Sequence, residues 1–64
     1  MLTELETRAI ELLIGGKSYN EIALTMGVHR HAVYTLMNTI CDKLHVLTRV
    51  EAAVKFDRMR AAWP

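Results

Sequence analysis

Cysteine is almost absent from this 64-residue chain: Cys41 stands alone, so no disulfide can close within it. A chain this short buries only about 60% of the surface it exposes when unfolded, so packing, a metal or a partner has to supply what a disulfide would. Charge of one sign is scarce too. Eight Lys and Arg against seven Asp and Glu leave a net +1, which provides no general pull toward a polyanion; any nucleic-acid binding has to come from where the charges sit. Long apolar runs are missing. Leu12-Leu13-Ile14 is far too short for a bilayer, and Met1-Leu2-Thr3-Glu4 lacks the basic start of a secretory signal, so the expected location is cytoplasmic, with no membrane partner. There is no low-complexity stretch, internal repeat or linker. At 52% hydrophobic and 23% charged, residues 1–64 read as a single globular domain rather than a disordered tail.

What is present is a repeated start signal. Thr3 with Glu6, Ser18 with Glu21 and Thr48 with Glu51 each match a capping box, in which the hydroxyl accepts from a free first-turn N–H and the Glu returns to the cap's own N–H. Each such cap stabilises a helix by about 1 kcal/mol. The apolar spacing that follows has helical period. Leu5, Ala9, Leu12 and Leu13 make a stripe over 4–14 that stops at Gly15-Gly16, and Ile22, Ala23 and Met26 face inward over 19–26. Gly27 is placed to turn the chain sharply in a left-handed conformation. Val33, Leu36, Met37, Ile40 and Leu44 follow over 30–44, then Ala52, Phe56 and Met59 along a helix at 49–61, with Trp63 continuing that stripe. Nothing alternates with period two. The expected fold is all-α, four helices, with the second and third joined by a tight Gly-containing turn in the helix-turn-helix manner.

Over nearly its whole length the chain resembles the LuxR-type helix-turn-helix domain of bacterial transcription regulators. The stretches that carry the resemblance are Leu2-Thr3 with Glu6, Gly16-x-Ser18-x-x-Glu21-Ile22-Ala23, Val28 and Val33, Ile40-x-x-Lys43-Leu44-x-Val46, and Arg49-x-Glu51-Ala52, in ungapped register. Departures fall at Leu5, Arg8, His29, Ala32 and Leu36; the family favours hydroxyls at the His29 and Ala32 positions. The resemblance implies a DNA-binding domain whose last helix forms a homodimer contact, so that Val50, Ala53, Val54 and Ala61 become candidate interface residues and a pseudo-palindromic site follows from two-fold symmetry. RNA polymerase or another LuxR-type regulator are further candidate partners.

Major-groove reading needs polar groups on the outer face of the third helix near its start. Arg30, His31, Tyr34, Thr35 and Asn38 fill that face: Arg30 suits guanine O6 and N7, Asn38 suits adenine, and the Thr35 methyl suits thymine. Phosphate contacts are expected from Lys17, Ser18 and the first-turn N–H groups of Tyr19 and Asn20, from His29, and from Lys43 at the far end of the third helix. His29 and His31 would make such contacts pH-sensitive.

Other signals are weaker. Gly15-Gly16-Lys17-Ser18 looks like the end of a phosphate-binding loop, but Glu11 stands where that motif has its first glycine and no strand precedes it. Cys41 and His45 offer only two metal ligands, and His29 and His31 diverge on a helix, so no metal and no cofactor are expected. No nucleophile with a neighbouring base is visible, and an enzyme is not expected. The rival to a DNA reader is a small interaction protein of the same fold that pairs through its last helix with a LuxR-type regulator and blocks it.

Overall fold

The computed structural model describes residues 1–62, and within them four α-helices and no strand. They are α1 (Glu4–Ile14), α2 (Tyr19–Met26), α3 (Arg30–Leu44) and α4 (Arg49–Ala61), with the bounds that caps and apolar spacing predict.

Hydroxyls set the starts. Thr3 Oγ1 accepts from the Glu6 N–H at 3.2 Å while Glu6 Oε1 accepts from the Thr3 N–H at 2.8 Å; Ser18 and Glu21 repeat the exchange at 3.2 and 2.9 Å. Thr48 departs from the expected reciprocal box. Its hydroxyl accepts from the Glu51 N–H at 3.1 Å, but the Glu51 carboxylate accepts from that same hydroxyl at 3.3 Å and not from the Thr48 N–H. The backbone there is more extended, with φ −127° against −73° at Thr3 and Ser18, which turns the Thr48 N–H away from the carboxylate.

Left-handed residues set the ends. Gly16 (φ 90°), Gly27 (φ 70°) and His45 (φ 58°) close α1, α2 and α3. After each, the next N–H reaches back into the last turn: Lys17 to the Leu12 carbonyl at 3.1 Å, Val28 to Ala23 at 3.0 Å, Val46 to Cys41 at 3.0 Å. Lys55 of α4 adds a cation at the end of α3, donating to the Leu44 carbonyl at 2.6 Å.

The central element is α3, which packs against the other three helices, and α1 also packs against α2 and α4. The buried core is Ala9, Ile10, Ile22, Ala23, Val33, Met37, Ile40, Leu44 and Ala52. On α2 and α3 this follows the expected stripes. On α1 the buried face is rotated from the expected one: Leu5 is 54% exposed, Ile10 is fully buried, and Glu6, at 5%, lies among the buried residues. A charged residue at the centre of the face hid it, because a stripe drawn through apolar residues alone passes to one side. On α4 only Ala52 is fully buried, and Met59, expected inside, is 41% exposed. Met59 lines, with Leu2, Leu44 and Phe56, a largely apolar cavity of about 320 Å³. Trp63, the last member of the expected stripe, lies outside the described residues. No described helix is long and apolar enough to cross a membrane.

Candidate functional site

The Gly27 turn sets α2 and α3 against each other so that the start of α3 projects beside the start of α2. The outer face of α3 carries Arg30, His31, Tyr34, Thr35 and Asn38, all exposed. A shallow depression of about 320 Å³ is lined by His29, Arg30, His31 and Tyr34. Farther along the same face stands Asp42, exposed and acidic, so the stretch suited to an anionic partner is the N-terminal half, Arg30 to Asn38. Thr35 Oγ1 donates to the His31 carbonyl at 3.2 Å, which takes up its donor and leaves the methyl and the oxygen's acceptor capacity. His29 occupies the N-cap position without a side-chain hydrogen bond, as expected of a residue lacking the short hydroxyl or carboxyl of a capping side chain.

At the start of α2, Ser18 Oγ takes the Glu21 N–H, leaving the Tyr19 and Asn20 N–H groups with no intrahelical acceptor. The Glu21 carboxyl is held below the usual carboxylate range by its hydrogen bonds with the Ser18 N–H and hydroxyl. Arg30 Nη1 reaches Asn20 Oδ1 at 3.5 Å, a long contact that ties the two helix starts only loosely.

Two placements differ from the sequence picture. Lys43, expected as a phosphate grip, lies against α1: its Nζ is 2.8 Å from Glu6 Oε1 and donates to the Met1 carbonyl at 3.3 Å, with the side chain one-third exposed. Its charge closes the α1–α3 contact and neutralises a buried carboxylate. Arg49, by contrast, was not among the expected site residues. Its guanidinium carbon sits 4.9 Å from the centroid of the Tyr19 ring, and Tyr19 meets Tyr34 edge to face at 4.6 Å. Tyr19, Tyr34 and Arg49 are thus one side-chain cluster drawn from three helices. No local signal marks it, since the three residues are far apart in the chain.

Of the candidate interface residues on α4, Val50 and Val54 are 65% and 46% exposed, Ala61 is exposed and Ala53 is half-buried. Val50, Ala53 and Val54 line a shallow groove of about 360 Å³ together with Leu13 and Ile14 of α1. Leu47, just before α4, is 93% exposed. Among the described residues no three His, Cys, Asp or Glu side chains form a metal-binding group. No protein-family model and no curated protein matches the chain.

Proposed function

We propose that this chain is a LuxR-type helix-turn-helix domain that binds double-stranded DNA sequence-specifically in transcription regulation, with the N-terminal half of α3 in the major groove. The outer face of α3 carries the proposal: Arg30, His31, Tyr34, Thr35 and Asn38 offer donors, acceptors and a methyl group along an exposed helix that is buttressed from behind by α1, α2 and α4. Lys17, Ser18 and the free N–H groups of Tyr19 and Asn20 are the phosphate contacts at the start of α2, with His29 beside them. Lys43 is left out of that set because Glu6 holds it. Two copies pair through α4 at Val50, Ala53, Val54 and Ala61, which makes the preferred site pseudo-palindromic.

The exposed Leu47, Val50 and Val54 favour a second reading, in which α4 captures a larger regulator and α3 reads nothing. One experiment separates the two. The purified chain is incubated with a pool of random duplexes, and the bound fraction is sequenced beside that of an Arg30→Ala, Asn38→Ala variant. The DNA reading expects a pseudo-palindrome enriched by the natural chain and not by the variant. Lack of any enrichment, even at low salt where phosphate binding is strongest, sinks it and leaves the α4 partner as the function to pursue.

A further inference from the structure

Arg49 stands on the first turn of α4, where the helix's own field disfavours a cation. Among the described residues no carboxylate comes within ion-pair distance of it; the ion pairs are Lys43 with Glu6 and Arg60 with Glu11 and Asp57. Its guanidinium is placed by an aromatic ring instead, 4.9 Å from the Tyr19 centroid, and Tyr19 is itself braced by Tyr34. The backbones of α2 and α4 do not approach closely, so the Arg49 side chain bridges a gap between them. A cation over a ring uses the face of the planar group and leaves its N–H donors available at the edges. Lys17 lies two residues before Tyr19, and Arg30 reaches Asn20. Three cations, one from the segment before α2, one from α3 and one from α4, therefore lie near one helix start, and the only acid in that first turn, Glu21, is tied back to Ser18.

We infer that Arg49 is a phosphate-contacting residue of the DNA interface: aimed by Tyr19, its guanidinium fork takes a backbone phosphodiester beside the start of α2. The inference rests on the proposed DNA binding and extends it to α4. A guanidinium matches a phosphate with two parallel donors, and such a contact adds affinity while carrying no base information. The phosphate contacts thus extend from the start of α2 to the start of α4, and the element that carries the pairing surface also holds the DNA backbone.

The test is a salt titration of DNA affinity for the natural chain, Arg49→Gln and Arg49→Lys, from about 50 to 200 mM, on a mixed-sequence duplex and on the duplex enriched by selection. Loss of one phosphate contact is expected to make the slope of log K against log salt shallower by about 0.9 in Arg49→Gln on both duplexes. Arg49→Lys is expected to keep the slope, and the ratio of the two affinities stays that of the natural chain in both variants. Urea unfolding of each variant establishes that it is folded under the binding conditions; if Arg49→Gln is not, the comparison is made with Arg49→Met, which retains an alkyl stem against Tyr19. An unchanged slope in a folded neutral variant overturns the inference and reduces Arg49 to a packing group on Tyr19. A changed affinity ratio overturns it in another way, by making Arg49 a base reader. If the natural chain binds neither duplex, the parent proposal and this one fall together, whereas preferential binding of the enriched duplex with an unchanged slope in folded Arg49→Gln removes only this one.

Discussion

Glu6 lies in the packed face of α1, and two donors make an anion tolerable there: Lys43 Nζ and the Thr3 N–H, both at 2.8 Å from Oε1. The Lys43 hydrogen bond is the larger cause, the Thr3 N–H the next, and together they outweigh burial and hold the Glu6 carboxyl below its ordinary value of 4.5. A carboxyl whose pKa is lower in the folded state contributes stability that is complete above the unfolded value and is lost as pH falls through the folded one. Glu21 acts in the same direction. The contribution of these two carboxyls is therefore expected to be complete near neutrality and to decline on acidification below about pH 4.5. Urea denaturation across that range checks it. Glu6→Gln should be less stable at neutral pH by roughly 1.5–3 kcal/mol, the range for hydrogen bonds to a charged group, and should show a smaller acid decline; an equal decline in that variant would place the effect elsewhere. Cys41 behaves oppositely. Burial first, then Asp42 and Glu51, raise its thiol, so it stays protonated at neutral pH and serves as packing. The Thr3–Glu6 exchange was legible in the sequence because it spans three residues. The Lys43 partner, 37 residues away, was not.

Helix ends, at the scale of elements, decide how α3 is presented. Gly27 and His45 perform one conformational task with different residues, at φ 70° and 58°. A Cβ added at Gly27 would meet nothing within 4 Å, so the cost of Gly27→Ala is backbone strain alone, about 1–2 kcal/mol. His45 already bears that strain, and His45→Gly is expected to raise stability by up to about 1 kcal/mol. Thermal unfolding of the two variants should move in opposite directions; a common direction would show that the turn around His45 is held by its side chain and not limited by its φ. The glycines announced their turns in the sequence. His45 did not, since no local signal marks a non-glycine residue for the left-handed region; it takes that conformation where the chain returns from α3 to α4, next to the Leu44 carbonyl that Lys55 caps. The rotated face of α1 is a further case: period alone locates a stripe to within one neighbouring column, and a charged Glu6 in the buried column makes the Leu5 side look the more apolar.

The whole molecule carries a net charge of +1, yet its cations are unevenly committed. Lys43 and Arg60 are paired with acids and Lys55 caps α3, while Lys17, Arg30 and Arg49 gather near one end of α2. A low total is compatible with the proposed DNA contact because the field that matters is local. The opposite surface question concerns α4, which buries little of itself within the chain. Under the proposed pairing, Val54→Glu should abolish self-association without loss of helix content, read by sedimentation equilibrium and circular dichroism; placing two carboxylates against an apolar contact is strongly unfavourable. Self-association that survives Val54→Glu, or a natural chain that stays monomeric both free and on DNA, would remove α4 as the pairing surface.

From sequence alone came the number of helices, their limits and the turn that joins α2 to α3. These depend on interactions that span a few residues: a hydroxyl and a carboxylate three apart, a glycine after the last turn, apolar residues recurring every three or four. Tertiary structure alone decided that α1 buries Glu6 and Ile10 in place of Leu5, that Lys43 answers Glu6, and that Arg49, Tyr19 and Tyr34 meet. Such contacts depend on how each helix is rotated about its axis and set against its neighbours, and that arrangement is chosen by the packing of all four helices at once.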